Sequence, residues 1–421
     1  MSKALLVVVL TVMLDLVGFG IVIPNLPYYA QAFGASDLGV TLIMAGYSLA
    51  QFVCVPIMGQ VSDRIGRRPV MLGSIAMTAV GLIALANART LWMVVLFRIL
   101  HGAMTANLGT AQACIADLTT PENRARGMGL FGASFGIGFT IGPLLGGELS
   151  HLPDWLAARG WLDAVLPVLG GDVARARLAF PMAFAGLLSA INLVLAIRYL
   201  PETRHEGSVA TRRSIHPRVL WEAVRHPVLG LCILLSFVQV FSFSAMESCF
   251  TLFAKNSWDF QPRDIGRFFG LVGVLGIVIQ GGLIGPLVRR FGEARLVPIG
   301  LAFLALGLGG VPFTHPDYRL AIDFTILAIG QGLATPTLQG LISRSAGAHE
   351  QGAVLGSAQS MSALARALGP AFGGMLFSRV GPAAPFLASA VMLLGAVALS
   401  FTATARAAAA MAAGGAGAAR G

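Results

Sequence analysis

Charge is scarce in this chain. Asp, Glu, Lys and Arg make up 11% of its 421 residues, while 56% are hydrophobic. A soluble domain carries about a quarter charged residues, so an ordinary water-soluble globule is excluded. Cysteine is scarcer still. Cys54, Cys114, Cys232 and Cys249 sit singly in apolar stretches with no Cys-x-x-Cys pair. That pattern excludes a disulfide framework or a thiolate metal cluster and leaves four small hydrophobes. The seven histidines show no metal-ligand spacing, and no phosphate-binding Gly-x-x-x-x-Gly-Lys-Ser/Thr loop occurs. Neither an enzyme, nor a bound cofactor or metal, nor ATP-driven work in cis is expected.

What the chain has instead is long apolar runs. A helix that crosses a bilayer takes about 20 mostly apolar residues. Twelve runs approach or exceed that length: 4–31, 39–61, 69–88, 91–115, 126–149, 179–199, 227–253, 265–288, 295–314, 319–342, 350–377 and 381–402. The first continues past Asp15 to Leu26 with no small-residue cleavage site, so it reads as a span and not as a removable signal. The net charge of +10 follows from topology rather than from nucleic-acid binding. With twelve spans and both ends on one side, eighteen of the 29 Lys and Arg fall on the side of the termini, nine on the other, and Arg98 and Arg366 inside spans. The basic side of a membrane protein is the cytoplasmic one, which places both termini in the cytoplasm. Attraction to anionic lipid headgroups adds to the same bias.

The second half repeats the first. Gly59 to Gly66 aligns with Gly285 to Gly292, and Gly142-Pro143-Leu144-Leu145-Gly146-Gly147 aligns with Gly369-Pro370-Ala371-Phe372-Gly373-Gly374. The two matches share almost one offset. Repeats with six spans each imply two bundles related by an axis along the membrane normal. The expected organisation is a six-helix bundle over 1–200, a basic cytoplasmic linker over 201–226, a second six-helix bundle over 227–402, and a disordered Ala/Gly tail over 403–421. Residues 150–178 form the longest loop on the opposite side, with a Leu-rich part suited to a short interfacial helix.

Three groups of residues stand out against this apolar background. The first is the compact stretch Gly59-Gln60-Val61-Ser62-Asp63-Arg64-Ile65-Gly66-Arg67-Arg68-Pro69-Val70. It joins the second and third runs with about seven residues of loop, and its three arginines fix it on the cytoplasmic side. Its charges serve topology alone, or Asp63 and Arg67 bridge to a neighbouring helix end such as that of Asp117. The second is the glycine ladder of span five. Gly138, Gly142 and Gly146 recur every four residues on one helix face, which permits close backbone approach, and Pro143 adds a weak point. Ala365, Gly369 and Gly373 repeat that face in span eleven. The third is a set of ionisable groups inside spans: Asp15, Arg98, Glu247 and Arg366, with Asp323 near the end of span ten. A charge at mid-span costs roughly 2.5–3.5 kcal/mol on insertion scales, so each is a functional candidate. Burial disfavours a charged carboxyl and a nearby arginine favours it. A carboxyl between those effects is suited to carrying a proton; the other reading is a structural ion pair. Gln239 and Arg366 are candidates for lining the cavity.

The pattern G-x-x-x-D-R-x-G-R-R-P, matched at every position from Gly59 to Pro69, resembles the signature of the major facilitator superfamily. The resemblance extends over nearly the whole chain. Arg98-Ile99-Leu100-His101-Gly102 is similar to the family's R-x-x-x-G motif, whose arginine is tied to proton handling. The span-five pattern resembles the motif of its antiporters, where such faces support a rocking motion between bundles. Leu14 to Pro27 and Gly332 to Gly340 look like the first and tenth spans of the twelve-span drug:proton antiporters, the bacterial tetracycline efflux group in particular. Leu200-Pro201-Glu202-Thr203-Arg204 resembles a common family ending to span six.

The resemblance implies an all-α integral membrane protein with twelve transmembrane helices in two pseudo-twofold-related bundles. It further implies a multi-pass protein of the bacterial inner membrane, working as a monomer on a small molecule and protons. Asp15, Arg98 and Glu247 are then the proton-coupling candidates. Gly59, Asp63, Arg64, Gly66, Arg67 and Arg68 form a latch. Gly138, Gly142, Pro143, Gly146 and Gly147 form a hinge, and Gly369, Pro370 and Gly373 its second-half copy. Tetracycline carriers have an Asp in span three, a His in span eight and an Asp in span nine; spans three, eight and nine of this chain lack those groups. The expected activity is therefore proton-coupled efflux of a small lipophilic compound by alternating access. Tetracycline exchange and import of a metabolite by a symporter or facilitator on the same fold are the alternatives. A channel or a membrane receptor is a further alternative from another class.

Overall fold

The computed structural model describes residues 3–105, 108–120, 123–160, 173–203, 228–345 and 351–418, and no strand occurs among them. The helices follow the apolar runs. Span one is Lys3–Ala32, span two Asp37–Ile65, span three Arg67–Ala86. Span four is Leu91–Met104 continued by Leu108–Asp117, span five Arg124–Leu149, span six Val173–Tyr199. Span seven is Leu229–Trp258 and span eight Pro262–Phe291, with a π-helical turn at Ile279–Leu283. Span nine is Glu293–Gly310, span ten Tyr318–Ser345, span eleven Gln351–Arg379 and span twelve Ala384–Ala418. Eleven of these are long and apolar enough to cross a membrane. Span eleven, 29 residues long, is diluted by Ser, Gln and Gly and carries Arg366.

Contacts divide the chain into two compact units. The first comprises Met1–Arg213 with Phe250–Val274, the second Ser214–Cys249 with Leu275–Gly421. In the first, span one packs on spans five and six, span three on span six, and span two on span four. In the second, span nine packs on spans ten and twelve.

Two expectations are corrected. The stretch from Gly59 to Val70 is hardly a loop: span two runs on to Ile65, span three starts at Arg67, and Gly66 alone lies between them. Gly66 has φ +109°, a backbone conformation that only glycine adopts without strain. Its repeat partner Gly292, between spans eight and nine, has φ +76°. The expected loop starts where charge begins, but charge alone does not end a helix, and Arg64 is of a type that favours one. The last helix also runs on to Ala418, past the onset of the expected disordered tail, in a stretch dominated by alanine, the best helix former. A short helix at Leu152–Ala157 occupies the loop after span five. The Leu-rich part expected to lie at the interface, and the linker from residue 204 onward, fall outside the described residues.

Glycine sets the spacing of the first unit. A Cβ on Gly142 would lie 2.6 Å from the Gly20 Cα and 2.8 Å from the Val17 carbonyl oxygen of span one. One on Gly132, nearly three helical turns away in the same span, would meet nothing within 4 Å. Gly142→Val is expected to lower the unfolding midpoint of the detergent-purified protein, with an overpacking cost of about 1–3 kcal/mol. Gly132→Ala should leave the midpoint unchanged or raise it slightly; equal effects of the two substitutions would contradict this packing.

Candidate functional site

The turn at Gly66 is the centre of a polar network at one end of the first unit. Arg67, at the start of span three, pairs with Asp63 one turn back in span two. Its Nη1 also donates to the Ser62 hydroxyl at 2.7 Å, and its Nε reaches Asp117 at the end of span four at 3.5 Å. Glu202, just beyond span six, accepts from the backbone amides of Arg67 at 2.9 Å and Arg68 at 3.1 Å. A carboxylate on the free amides that open a helix satisfies donors with no partner inside the helix and favours the positive end of the helix dipole. Arg68 in turn donates to the Ile197 carbonyl at 2.7 Å, and the Thr203 hydroxyl donates to Asp117 at 3.4 Å. Spans two, three, four and six are thus tied at one end. Arg67 is the residue that reaches the end of span four, at Asp117, while Asp63 pairs with Arg67 itself. Gly59 lies within span two with open space where a Cβ would be, and Arg64 is exposed on the same helix.

The interior of this unit holds two separate polar groups. Asp15, 8% exposed in span one, accepts from the Asn192 amide of span six at 3.0 Å. The same amide reaches the Thr11 carbonyl at 3.2 Å. Arg98, 3% exposed, lies over the Tyr47 ring of span two, 4.4 Å from its centroid. Its Nη1 lies 3.2 Å from Nδ1 of His101. A guanidinium can only donate, so Nδ1 is the acceptor and His101 carries its proton on Nε2. Tyr47 continues the chain to Thr105 at 2.8 Å. The Arg98 Nε is buried without a hydrogen-bond partner.

In the second unit, Glu247 of span seven is half-buried and feels the positive charge of Arg366 of span eleven. Gln239 of span seven is 2% exposed and donates to Gln331 at 3.0 Å and Thr335 at 2.7 Å, both in span ten. Phe241 of span seven stacks near Phe237 and Phe372, with ring centroids 5.7 and 5.1 Å away. Asp323 of span ten is bound by the Thr314 hydroxyl. Of the three proton-coupling candidates, Asp15 and Arg98 belong to one unit and Glu247 to the other.

The glycine faces of the two halves do the same thing. Gly138, Gly142 and Gly146 abut Leu16, Gly20 and Ile21 of span one, and the Asn25 amide of span one donates to the Gly146 carbonyl at 2.9 Å. Gly369 and Gly373 abut Ser244, Ala245 and Cys249 of span seven. A second side of span five meets span eight: Gly147 abuts Pro262 and Arg263, the Pro143 carbonyl abuts Gly266, and Thr140 abuts Gly273. Pro370, the repeat partner of Pro143, is buried in span eleven.

Some polar contacts were not visible in the sequence. Glu148 of span five pairs with Arg263 at 2.9 Å and Arg267 at 3.3 Å of span eight. Nearby in the same unit, Lys255 donates to Gln31 at 2.5 Å, and the Tyr28 hydroxyl donates to the Phe260 carbonyl. These partners lie more than a hundred residues apart, with no local pattern to reveal them. Glu202 did carry a signal, the Pro-Glu-Thr ending of span six. One pentapeptide, Gly132-Ala133-Ser134-Phe135-Gly136, has the Gly-x-Ser-x-Gly spelling of a hydrolase elbow, which corrects the expectation that no such pentapeptide occurs. Its serine sits mid-helix in span five, 1% exposed, and donates to the Leu130 and Val9 carbonyls, so it has none of the strand-to-helix exposure that a nucleophile needs.

The sequence matches the family model "Major Facilitator Superfamily" over residues 8–370 and 281–418. It is 30% identical to the class C tetracycline resistance protein of Escherichia coli, over 88% of both chains. It is 28% identical to multidrug resistance protein 2 of Bacillus subtilis (strain 168), over 94% of both. The crystal structure of the human organic anion transporter MFSD10 (TETRAN) superposes with a TM-score of 0.68 at 24% identity, covering 94% of this chain and 99% of that one. Proteins of this fold are transporters and not enzymes. With its array of bilayer-length helices, this chain belongs to the major facilitator superfamily of membrane transporters.

Proposed function

We propose that the protein is a secondary active transporter that exports a small lipophilic organic compound in exchange for protons, by alternating access, as a monomer. It resides in a bacterial inner membrane with both termini in the cytoplasm. The observation that carries the reading is Asp15, a carboxyl buried inside span one and held by a neutral amide. A buried carboxyl in a span is costly to keep unless it is used, and Asn192 can donate to it in either protonation state. Span one is also the helix on which the glycine face of span five rests, so a change of charge at Asp15 acts where the two helices meet. The relation to tetracycline and multidrug resistance proteins supports efflux as the direction. The two bundles, over 1–200 and 227–402, would rock about a midplane site. One charge moved through 100 mV supplies about 2.3 kcal/mol, enough to drive accumulation.

Tetracycline exchange is the second reading, supported by the identity to the class C protein. Against it, span three has no acidic residue, span eight has no histidine, and Glu293 at the first turn is the one acid of span nine. The polar groups of this chain's interior suit a less polar cargo, oriented by Gln239 and the Phe241 cluster. The network at Gly66 is the latch of this scheme, closing one end of the first unit in one of the alternating states.

Asp15→Asn is expected to abolish substrate uptake driven by a pH gradient into inverted vesicles, while expression and unfolding midpoint stay near those of the parent. Undiminished uptake by that variant would remove Asp15 from the coupling path. In parent vesicles with an acid lumen, adding substrate should alkalinise the lumen; acidification would mean cotransport. Glu202→Ala leaves the first amides of span three without their acceptor, a loss comparable to removing a helix cap, about 0.5–2 kcal/mol. It should slow transport several-fold without changing the substrate preference seen in a growth-inhibition panel. A rate equal to the parent's would show that the latch does not depend on this cap.

A further inference from the structure

The second unit carries an open groove of about 630 Å³ between spans nine and twelve, lined by Ala294, Arg295, Pro298, Ile299, Ala302, Val397 and Phe401. Its floor follows from residue size. Ala294, Pro298 and Ala302 recur every four residues of span nine and present short side chains, so the two helices cannot fill the space between them. Ile299, 43% exposed, and Phe401, 60% exposed, form its rims. Six of the seven lining residues are apolar, which suits hydrocarbon and offers no fixed dipoles to a polar cargo. At one end the character changes abruptly. Arg295 lines the groove itself and is exposed, and the hairpin turn from which it rises carries the exposed Arg289 and Arg290. The one acid at this turn, Glu293, is neutralised by Arg344 at 3.1 Å. No ion pair or hydrogen bond engages the side chains of Arg289, Arg290 or Arg295 among the described residues.

We propose that this groove is a binding site for an anionic phospholipid, with an acyl chain lying along Pro298, Ile299 and Ala302 and the phosphate held by Arg295 with Arg289 and Arg290. Charge complementarity selects the occupant. Lipid tails gain little by exchanging bilayer for an apolar protein face, so the chain gives position and the headgroup gives selectivity. Guanidinium is the side-chain cation best matched to phosphate, since its planar fork donates two parallel hydrogen bonds. Anionic lipids are concentrated in the cytoplasmic leaflet, which is the leaflet that the proposed topology puts at this end. The site rests on the membrane topology proposed above; it does not depend on the transport reaction.

The test uses the full chain in nanodiscs of phosphatidylcholine doped with a trace of phosphatidylglycerol that carries a photoactivatable group in its acyl chain. No substrate or proton gradient is present, so a failure of the transport reading cannot affect the result. Crosslinks mapped by peptide mass spectrometry should concentrate at Ile299, Ala302, Val397 and Phe401. Each arginine removed, by Arg295→Gln first and then Arg289→Gln and Arg290→Gln, should weaken labelling about fivefold, while Arg379→Gln should not. Ala302→Phe, which fills the groove and leaves the charges, should displace the crosslinks from this face. Equal labelling by a phosphatidylcholine probe, or labelling that survives the triple arginine variant, would overturn the assignment.

Discussion

Everything in the first unit is set by how closely span five can approach span one. Three side chains are missing from one face of span five, and the backbone of span one fills the room they leave. In a bilayer there is little hydrophobic gain from bringing helices together, so contact depends on packing and on hydrogen bonds that reach across it. The glycine face supplies the first, and the Asn25 amide on the Gly146 carbonyl supplies the second. Span six rests on span one as well, and there the Asn192 amide meets Asp15. The second half solves the same problem in the same way, with span eleven on span seven.

Polar groups are few and are placed with economy. Among the described residues no carboxylate pairs with Arg98; a ring face and a neutral imidazole hold it, and both tolerate a cation in an apolar interior. Glu202 opens a helix where a serine or threonine often would. The charges that remain exposed gather at helix ends, where they act on topology and lipid more than on stability, since single surface ion pairs contribute at most about 1 kcal/mol.

The number and order of the helices were legible in the sequence because length and apolarity are sufficient signals for a bilayer span. The internal repeat was legible for a similar reason, and its strongest structural counterpart is the positive φ shared by Gly66 and Gly292. The helix ends were less legible: Asp63 and Arg64 look like loop but remain helical, since charge does not break a helix. Individual candidates such as Asp15, Arg98 and Gly142 could be picked out by type, but their partners could not. Asn192, Tyr47 and Glu202 are ordinary residues in composition, and only the three-dimensional arrangement brings them to the groups they serve. The tie between Glu148 and Arg263 has no local pattern at all.

A turn one residue long has a consequence for how the protein is made. With Gly66 as the sole connection, the end of span two and the start of span three cannot lie on opposite faces of the membrane even briefly. The two spans therefore form one hairpin whose closed end stays on a single face of the membrane. The same holds for spans eight and nine around Gly292. Each half of the chain thus contains one hairpin closed by a single residue, whereas spans seven and eight have three residues, 259–261, between them. Two glycines thus fix where the chain doubles back most sharply.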